Sequence, residues 1–132
     1  PIVDQKSKLL KKLSKLDNVY LLGQIDRKEV PQYVYGFDLC MIPYRASRYN
    51  ESSFPLKFWE FMATGKPIVV TGLPELKVYQ GMIGYAKKKK DFIKMIERQL
   101  ESPNVRAEDR IKEASKHSWD KRLNGILKII NN

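Results

Sequence analysis

The sequence predicts an α/β fold with a parallel sheet of about four strands. Short apolar runs alternate along the chain with segments of helical periodicity. Apart from Asp38 in the run over 37–42, each run is apolar throughout, as expected of strands that are buried on both faces. The 132 residues are 42% hydrophobic and 30% charged, which is the balance of a single globular domain.

The predicted elements follow one another in a regular order. They are helix 4–16, strand 19–22, helix 27–35, strand 37–42, helix 55–64, strand 67–70, a helical turn over 75–79, strand 83–86, and helices 91–100, 107–117 and 119–130. Each helix repeats apolar residues every three or four positions, and each strand is a short, predominantly apolar run. Gly23 and Pro43 end two of the strands, and Gly65 ends the helix over 55–64.

The charge balance is strongly basic. Twenty-five Lys and Arg against fifteen Asp and Glu give a net charge of +10. This charge favours an anionic partner, and nucleic acid, anionic lipid and phosphorylated small molecules all fit. No apolar stretch approaches the ~20 residues that a membrane-spanning helix needs.

Cysteine and histidine are too scarce for a disulfide scaffold or a structural zinc site. Cys40 is the single cysteine, and its place in the apolar run over 37–42 predicts a buried, inert thiol. One Cys and one His cannot build a structural zinc site, so no metal is predicted. The lone His117, just before the last helix, predicts a capping or interhelix contact, and Trp119 is expected to be packed.

The carboxyl ends of the strands are the expected place for a ligand. Parallel strands present these ends at one edge of the sheet, where α/β proteins bind their ligands. Three segments leave strands there, over residues 23–27, 43–54 and 71–74. The middle segment is long for such a connection, which favours a function. Its Arg45 and Arg48 are candidates for contact with a phosphate or an acceptor.

The start of the helix over 55–64 carries the sharpest local pattern. Pro55 suits a first helical turn, whose N–H groups carry partial positive charge and can bind an anion. Lys57 in that turn is mildly unfavourable unless an anion is bound. Glu60 shares the face of Lys57. Its carboxylate could accept hydrogen bonds from the two hydroxyl groups of a ribose, or Glu60 and Lys57 could form a surface ion pair. The opposite side is expected to face the core; it holds Leu56, Trp59 and Ala63.

Five spaced segments carry a family resemblance. They are Asn18–Gly23, Glu29–Tyr33, Phe37–Pro43, Ser53–Val69 and His117–Arg122. They resemble the patterns N-V-x-x-x-G, E-[LV]-P-x-Y, D-[VL]-x-[VL]-x-P, P-x-K-x-x-E-x-x-A-x-G-K-P-[VI]-[VI] and S-W-x-x-R of retaining GT-B glycosyltransferases, the group 1 type of glycosyl transferase. The order of the segments agrees, and the resemblance covers nearly the whole chain.

The resemblance implies a fold and a domain. It implies a Rossmann-like, three-layer domain that forms the C-terminal half of a GT-B enzyme and binds the nucleotide-sugar. Residues 1–132 would be this single donor-binding domain, and the acceptor domain and the first strand would lie outside the chain. The fragment alone is then expected to be inactive.

The resemblance also implies which residues bind the donor. The diphosphate would lie on the helix start, the ribose on Glu60 and the base on the loop after Gly23. The residues concerned are Ser53, Phe54, Pro55, Leu56 and Lys57 for the diphosphate, and Gln24, Ile25 and Asp26 for the base. No cofactor or metal is implied, because the helix dipole and basic side chains stabilise the leaving diphosphate.

The sequence departs from the family pattern at two places. Many relatives carry a Glu eight positions before the ribose Glu; here that position is Ser52, with Glu51 beside it. The catalytic residue therefore stays open between Glu51 and Ser52. The family's phosphate-binding Arg and Lys, which follow the first strand of the domain, have no counterpart here.

These observations predict a hexosyltransferase-like donor domain. It would bind a nucleotide-diphosphate sugar and support retaining transfer to a glycan or a lipid-linked acceptor in polysaccharide biosynthesis. The expected partners are that sugar nucleotide and an N-terminal acceptor domain, without nucleic acid. The expected location is the cytoplasm, with peripheral contact to the inner face of the membrane left open.

Two alternatives stay open on the sequence. One is part of a nucleotide-sugar epimerase, which shares the fold class. The other is a non-catalytic basic module that binds nucleic acid or anionic membrane, through the Lys-rich first helix and Lys87–Lys90. The lysines fall on several helices rather than on one continuous face, which speaks against nucleic acid.

Overall fold

The computed structural model describes residues 8–130 of the chain, apart from the side chain of Lys89. The chain divides into two compact units, Pro1–Pro31 and Gln32–Asn132. Helix α2 (Val30–Tyr35) spans the boundary between them. Within residues 8–130, no helix is long and apolar enough to span a membrane.

The first unit contains helix α1 (Lys8–Leu13). Residues 4–7 of the predicted helix lie outside the described part of the chain. The predicted strand over 19–22 is wrong, because this segment forms no strand and Tyr20 is 80% exposed. A continuous apolar run is compatible with a strand but becomes one only where a neighbouring strand supplies hydrogen bonds, and periodicity cannot reveal that neighbour.

The second unit is built on a parallel three-stranded sheet. Its strands are β1 (Cys40–Pro43), β2 (Ile68–Thr71) and β3 (Gly84–Ala86), with β2 in the centre. The register pairs Cys40 with Ile68 and Val69 with Gly84. These strands confirm the predicted α/β fold with a parallel sheet and reduce the strand number from about four to three.

Four further helices belong to the second unit as described. They are α3 (Lys57–Ala63), α4 (Lys89–Glu101), α5 (Ala107–Ser115) and α6 (Trp119–Ile130). Two 3₁₀ turns, Arg48–Ser52 and Pro74–Tyr79, lie in the connections that follow β1 and β2. Helix α4 packs on β2 and β3, and α3 packs on α5. The α/β alternation therefore continues through the second unit, and α5 and α6 follow it as helices without a strand between them.

The core of the second unit is apolar except for one arginine. Arg110 is 1% exposed. Its guanidinium donates to the Gly65 carbonyl at 3.0 and 2.8 Å, to the Met82 carbonyl at 2.9 Å and to the Pro103 carbonyl at 3.1 Å. Burial lowers the pKa of Arg110. One side chain thus joins the turn before β2, the entry to β3 and the link between α4 and α5, and the sequence analysis did not identify it.

Helix α3 buries a different side from the predicted one. Its buried residues are Phe58, Phe61 and Met62. Of the three residues predicted to face the core, Trp59 is half-buried, and Leu56 and Ala63 are exposed. The prediction was wrong because this short segment is apolar almost all round, so that spacing does not single out one face.

Three single residues can be compared with their predictions. Trp119 is 75% exposed, so its predicted packing is wrong. Cys40 is buried, which confirms that part of its prediction, and burial raises the pKa of its thiol to about 11. The ring of His117 stacks on Trp59 of α3 with 3.7 Å between the ring centres, which confirms an interhelix contact.

Candidate donor site

The carboxyl ends of β1 and β2 lie side by side. Pro43 at the end of β1 is in register with Thr71 at the end of β2. The Tyr44 N–H donates to the Thr71 carbonyl at 3.2 Å, which extends the contact one residue beyond β1. The connection from β1 to α3 and the connection after β2 therefore start at the same edge of the sheet. The structure brings these two segments together; the third, residues 23–27, belongs to the first unit.

Gly72 allows the two connections to touch through their backbones. Its φ of +74° lies in the left-handed region, which glycine adopts at no steric cost. A Cβ atom at this position would overlap the Tyr44 carbonyl oxygen and lie 2.7 Å from the carbonyl carbon of Arg45. No other residue type fits here without moving the connection that follows β1.

The connection from β1 to α3 is a hydrogen-bonded loop. Ser47 caps the 3₁₀ turn Arg48–Ser52, and its Oγ accepts from the Asn50 N–H at 3.3 Å. The Asn50 amide Nδ2 donates to the Arg45 carbonyl at 2.8 Å, and the Asn50 carbonyl accepts from the Ser53 N–H at 3.3 Å. The turn also contacts Pro74–Tyr79, the 3₁₀ turn after β2.

This loop presents the predicted arginines and the two candidate catalytic residues to solvent. Arg45, Arg48, Glu51 and Ser52 are all exposed, and none of these four forms an ion pair with a described residue. Their side chains are thus available for a ligand at the carboxyl edge of the sheet.

The start of α3 lies two residues later than predicted. Helix α3 begins at Lys57, and Leu56 is its N-cap residue without a side-chain cap. The Phe58 N–H donates to the Pro55 carbonyl at 3.0 Å, so Pro55 still belongs to the first turn. The Trp59 N–H likewise donates to the Leu56 carbonyl at 3.1 Å, so only the N–H groups that precede Phe58 in this turn lack a backbone acceptor among the described residues. A helix of 7 residues has a small dipole, so an anion at this point would also depend on nearby side chains.

Lys57 and Glu60, three residues apart, are both exposed on α3, whereas Phe58, Phe61 and Met62 are buried. Within residues 8–130, no ion pair joins Lys57 to Glu60. The structure therefore does not show the surface ion pair that the spacing allowed. Both charges face solvent, where the carboxylate can accept hydrogen bonds from hydroxyl groups.

An aromatic cluster fixes the start of α3 in the second unit. Phe54 stacks on Trp59 at 5.4 Å and meets Phe58 edge to face at 5.6 Å. Tyr79, at the end of the second 3₁₀ turn, lies 5.0 Å from Phe58, and Trp59 stacks on His117. The sequence analysis named Phe54 and Trp59 separately and missed the cluster; four aromatic residues within positions 54–61 were the available signal.

The predicted base-binding residues lie in the first unit. The Asp26 carboxylate accepts from the Lys28 N–H at 2.8 Å, and its carbonyl accepts from the N–H groups of Glu29 and Val30. Asp26 thus shapes the turn before α2. Gln24 is exposed and Ile25 is half-buried.

Two cavities of the second unit lie at the other edge of the sheet. One, of about 560 Å³, is lined by Gly81–Gly84 at the entry to β3, and the other, of about 550 Å³, by Lys66 and Pro67 at the entry to β2. Ligands of open α/β sheets bind at the carboxyl ends instead, so the candidate site is the loop surface and not either cavity. Across residues 8–130, no group of three or more His, Cys, Asp or Glu side chains could hold a metal ion.

Comparisons with known proteins identify the family of the chain. The family model described as glycosyl transferases group 1 matches residues 3–102. TuaH of Bacillus subtilis (strain 168), provisionally named as a teichuronic acid biosynthesis glycosyltransferase, is 47% identical over 68 residues. That match covers 52% of this chain and 17% of TuaH, so the chain spans a small part of the relative's length. No solved structure matches the chain.

Proposed function

The chain belongs to the glycosyl transferases of group 1, and we propose that it is the C-terminal, nucleotide-sugar-binding domain of a retaining enzyme of this family. One observation supports the proposal above the others. The connections after β1 and β2 meet at the carboxyl edge of the sheet, and one of them leads into a helix with Lys57 and Glu60 on its exposed side. Neither the epimerase nor the nucleic-acid module is favoured by the family match.

The diphosphate of the donor would bind at residues 53–57. Donors and positive charge come from the ammonium group of Lys57 and from the N–H groups of Leu56 and Lys57, which donate to no backbone carbonyl among the described residues. Arg45 and Arg48 on the neighbouring loop add cationic side chains that are exposed. A guanidinium can hold two oxygens of a phosphate at once, which suits this role.

Glu60 would bind the ribose. A carboxylate can accept hydrogen bonds from both ribose hydroxyls, and Glu60 lies three residues after Lys57 on the same exposed side. The base would lie against Gln24, Ile25 and Asp26, as the family pattern implies. Hydrogen-bond acceptors and donors on Gln24 and Asp26 could then distinguish one base from another.

The reaction would transfer the sugar with retention of configuration. The bond between the anomeric carbon and the diphosphate oxygen breaks, and the acceptor oxygen forms a new bond to that carbon on the same face. The acceptor proton passes to the departing phosphate oxygen, whose negative charge Lys57, Arg45 and the N–H groups of α3 stabilise. Glu51 and Ser52, adjacent on the 3₁₀ turn, are the two candidates for contact with the donor sugar.

The remaining parts of the proposal concern the whole protein. The acceptor would be a glycan or a lipid-linked glycan held by a second domain, and the sugar a hexose. TuaH is named for teichuronic acid biosynthesis, and by analogy we place this protein in polysaccharide biosynthesis. A net charge of +10 would favour contact with the anionic inner face of the membrane, where a lipid-linked acceptor is found.

Calorimetric titration tests the proposal. UDP, GDP, ADP and a short single-stranded oligonucleotide are compared at moderate salt, since low salt inflates the binding of any anion to a basic protein. We expect one nucleoside diphosphate to bind selectively, and Glu60→Ala to weaken it at least about 10-fold through lost hydrogen bonds to a charged acceptor. Glu97→Ala removes an exposed carboxylate from α4 and should leave the affinity unchanged.

Two results would contradict the proposal. If Glu60→Ala bound the nucleotide as tightly as the wild type while circular dichroism showed an intact fold, the ribose assignment would be wrong. Salt-sensitive binding of the oligonucleotide, without preference among the nucleotides, would instead support the basic-module alternative.

A further inference from the structure

We propose that Asn50 and Gly72 are positioning residues that hold Arg45 at the candidate site, so that Arg45, and not Arg48, is the arginine that contacts the diphosphate. This inference rests on the proposed function and deepens it. It assigns different roles to two arginines that have the same exposure and the same side-chain chemistry.

Asn50 holds the peptide group of Arg45 from one side. Its Nδ2 donates to the Arg45 carbonyl oxygen at 2.8 Å, across five residues of the loop. Asn50 is half-buried, whereas the other residues of the turn Arg48–Ser52 are exposed. The Asn50 backbone is itself fixed, because its N–H donates to the Ser47 carbonyl at 2.9 Å and its carbonyl accepts from Ser53 at 3.3 Å. Asn50 thus links the position of Arg45 to the rest of the loop.

Gly72 holds the same peptide group from another side. The position where a Cβ would stand on Gly72 is 2.7 Å from the carbonyl carbon of Arg45. The preceding residue, Tyr44, donates its N–H to Thr71, the neighbour of Gly72. The backbone of Arg45 therefore rests on the end of β2, at the carboxyl edge of the sheet.

Arg48 takes part in neither of these two contacts. It is the first residue of the 3₁₀ turn, three positions further along the loop, and its exposed side chain has no ion-pair partner among residues 8–130. The backbone of Arg48 is held within the 3₁₀ turn that Ser47 caps, whereas that of Arg45 is held against Gly72 at the end of β2, at the edge where α/β proteins bind their ligands. This difference makes Arg45 the better candidate for the phosphate contact.

A double-mutant cycle in the full chain tests the inference. Arg45→Ala, Arg48→Ala, Asn50→Ala and the pair Arg45→Ala with Asn50→Ala are titrated with the preferred nucleoside diphosphate and with the same nucleoside without phosphate. Arg45→Ala should weaken the binding of the nucleoside diphosphate about 10-fold, as expected for a lost charge-assisted hydrogen bond. Asn50→Ala alone should weaken this binding about 3-fold. In the Arg45→Ala background it should have no effect on binding, because the effects of substitutions at coupled residues are not additive.

Two further variants separate positioning from a general loss of structure. Ser115→Ala removes another side-chain hydrogen bond to a backbone carbonyl, from Ser115 Oγ to Lys112 at 2.8 Å, and should leave the diphosphate affinity unchanged. Gly72→Ala displaces the Arg45 peptide from its other side and should weaken the binding of the nucleoside diphosphate about as much as Asn50→Ala does. It therefore serves as the second variant if Asn50→Ala does not fold.

The outcomes distinguish this inference from the proposed function. Additive losses from Arg45→Ala and Asn50→Ala, equal losses for the nucleoside and its diphosphate, or a larger loss from Arg48→Ala than from Arg45→Ala would each overturn the inference. If these variants bound like the wild type while Glu60→Ala bound weakly, the inference would fail and the proposed function would stand. If the wild type bound no nucleoside diphosphate, both would fall.

Discussion

Replacement of the buried Arg110 by methionine should strongly destabilise the second unit. Met has a long unbranched side chain that can fill much of the same space, but it has no hydrogen-bond donor. Arg110→Met therefore removes the four hydrogen bonds that the guanidinium donates to the carbonyls of Gly65, Met82 and Pro103. The packing of α5 is largely kept, so the loss reports on the polar contacts.

The expected magnitude follows from the burial of each carbonyl. The bonds to Gly65 are buried, and an orphaned acceptor there costs about 1–3 kcal/mol. The bonds to Met82 and Pro103 are part-buried, so those carbonyls can regain water and cost about 1 kcal/mol each. Removal of a buried charge offsets part of the loss, and we expect a net decrease of about 3 kcal/mol in the free energy of unfolding. This is a large share of the roughly 5–15 kcal/mol that stabilise a typical domain.

Urea unfolding followed by tryptophan fluorescence measures this loss. Trp59 is half-buried against His117, so its emission reports on the contact between α3 and the end of α5. Lys112→Met, on the exposed side of the same helix, is the matched control and should change the stability by less than about 0.5 kcal/mol. A decrease of less than about 1 kcal/mol for Arg110→Met, with an unchanged denaturant slope, would refute the assigned role.

Two further predictions concern titration and thiol reactivity. The hydrogen bond from Lys116 at 2.7 Å, with a smaller contribution from His117, holds the pKa of Glu113 below its usual value of 4.5. The resulting stabilisation is complete above pH 4.5 and is lost as the pH falls through the folded-state pKa of Glu113. The stability advantage of the wild type over Glu113→Gln should therefore disappear in acid. Urea midpoints of both proteins, measured across this pH range, check the prediction, and a stability difference that stays constant with pH would count against it. Burial raises the pKa of the Cys40 thiol from 9.0 to about 11, which lowers the fraction of reactive thiolate about 100-fold. At pH 8 the thiol should therefore react with a disulfide reagent about 100-fold more slowly in the folded protein than in urea. Equal reaction rates would contradict the burial of Cys40.

The sequence predicted well those elements whose local signals agree. Helix α6 has its predicted bounds, and α4 and α5 differ from theirs by at most two residues at either end. Their apolar spacing is regular, and turn-forming residues such as Pro103 separate them. The parallel pairing of the strands also agrees with the prediction made from the alternation of strands and helices.

The failures have a common physical origin in contacts between distant residues. The run over 19–22 has the composition of a strand but lacks the pairing that would make it one. Arg110 was missed because its acceptors are backbone carbonyls 45, 28 and 7 residues away, and a carbonyl leaves no trace in the amino-acid pattern.

The candidate site, too, was predictable from the sequence only in part. The spacing of Lys57 and Glu60 was enough to place both on one side of α3. The support of the neighbouring loop was not predictable in this way. Asn50 and Gly72 are common loop residues, and only the meeting of two connections at the sheet edge gives them a specific task.

The aromatic cluster around Trp59 also affects the balance of enthalpy and entropy in the free energy of ligand binding. Phe54, Phe58 and Trp59 tie the first turn of α3 to Tyr79 and His117 before any ligand arrives. A segment that is already ordered loses little conformational entropy when it binds. Binding at this turn would then be driven by the enthalpy of charge-assisted hydrogen bonds, with the cost of ordering the backbone already met during folding.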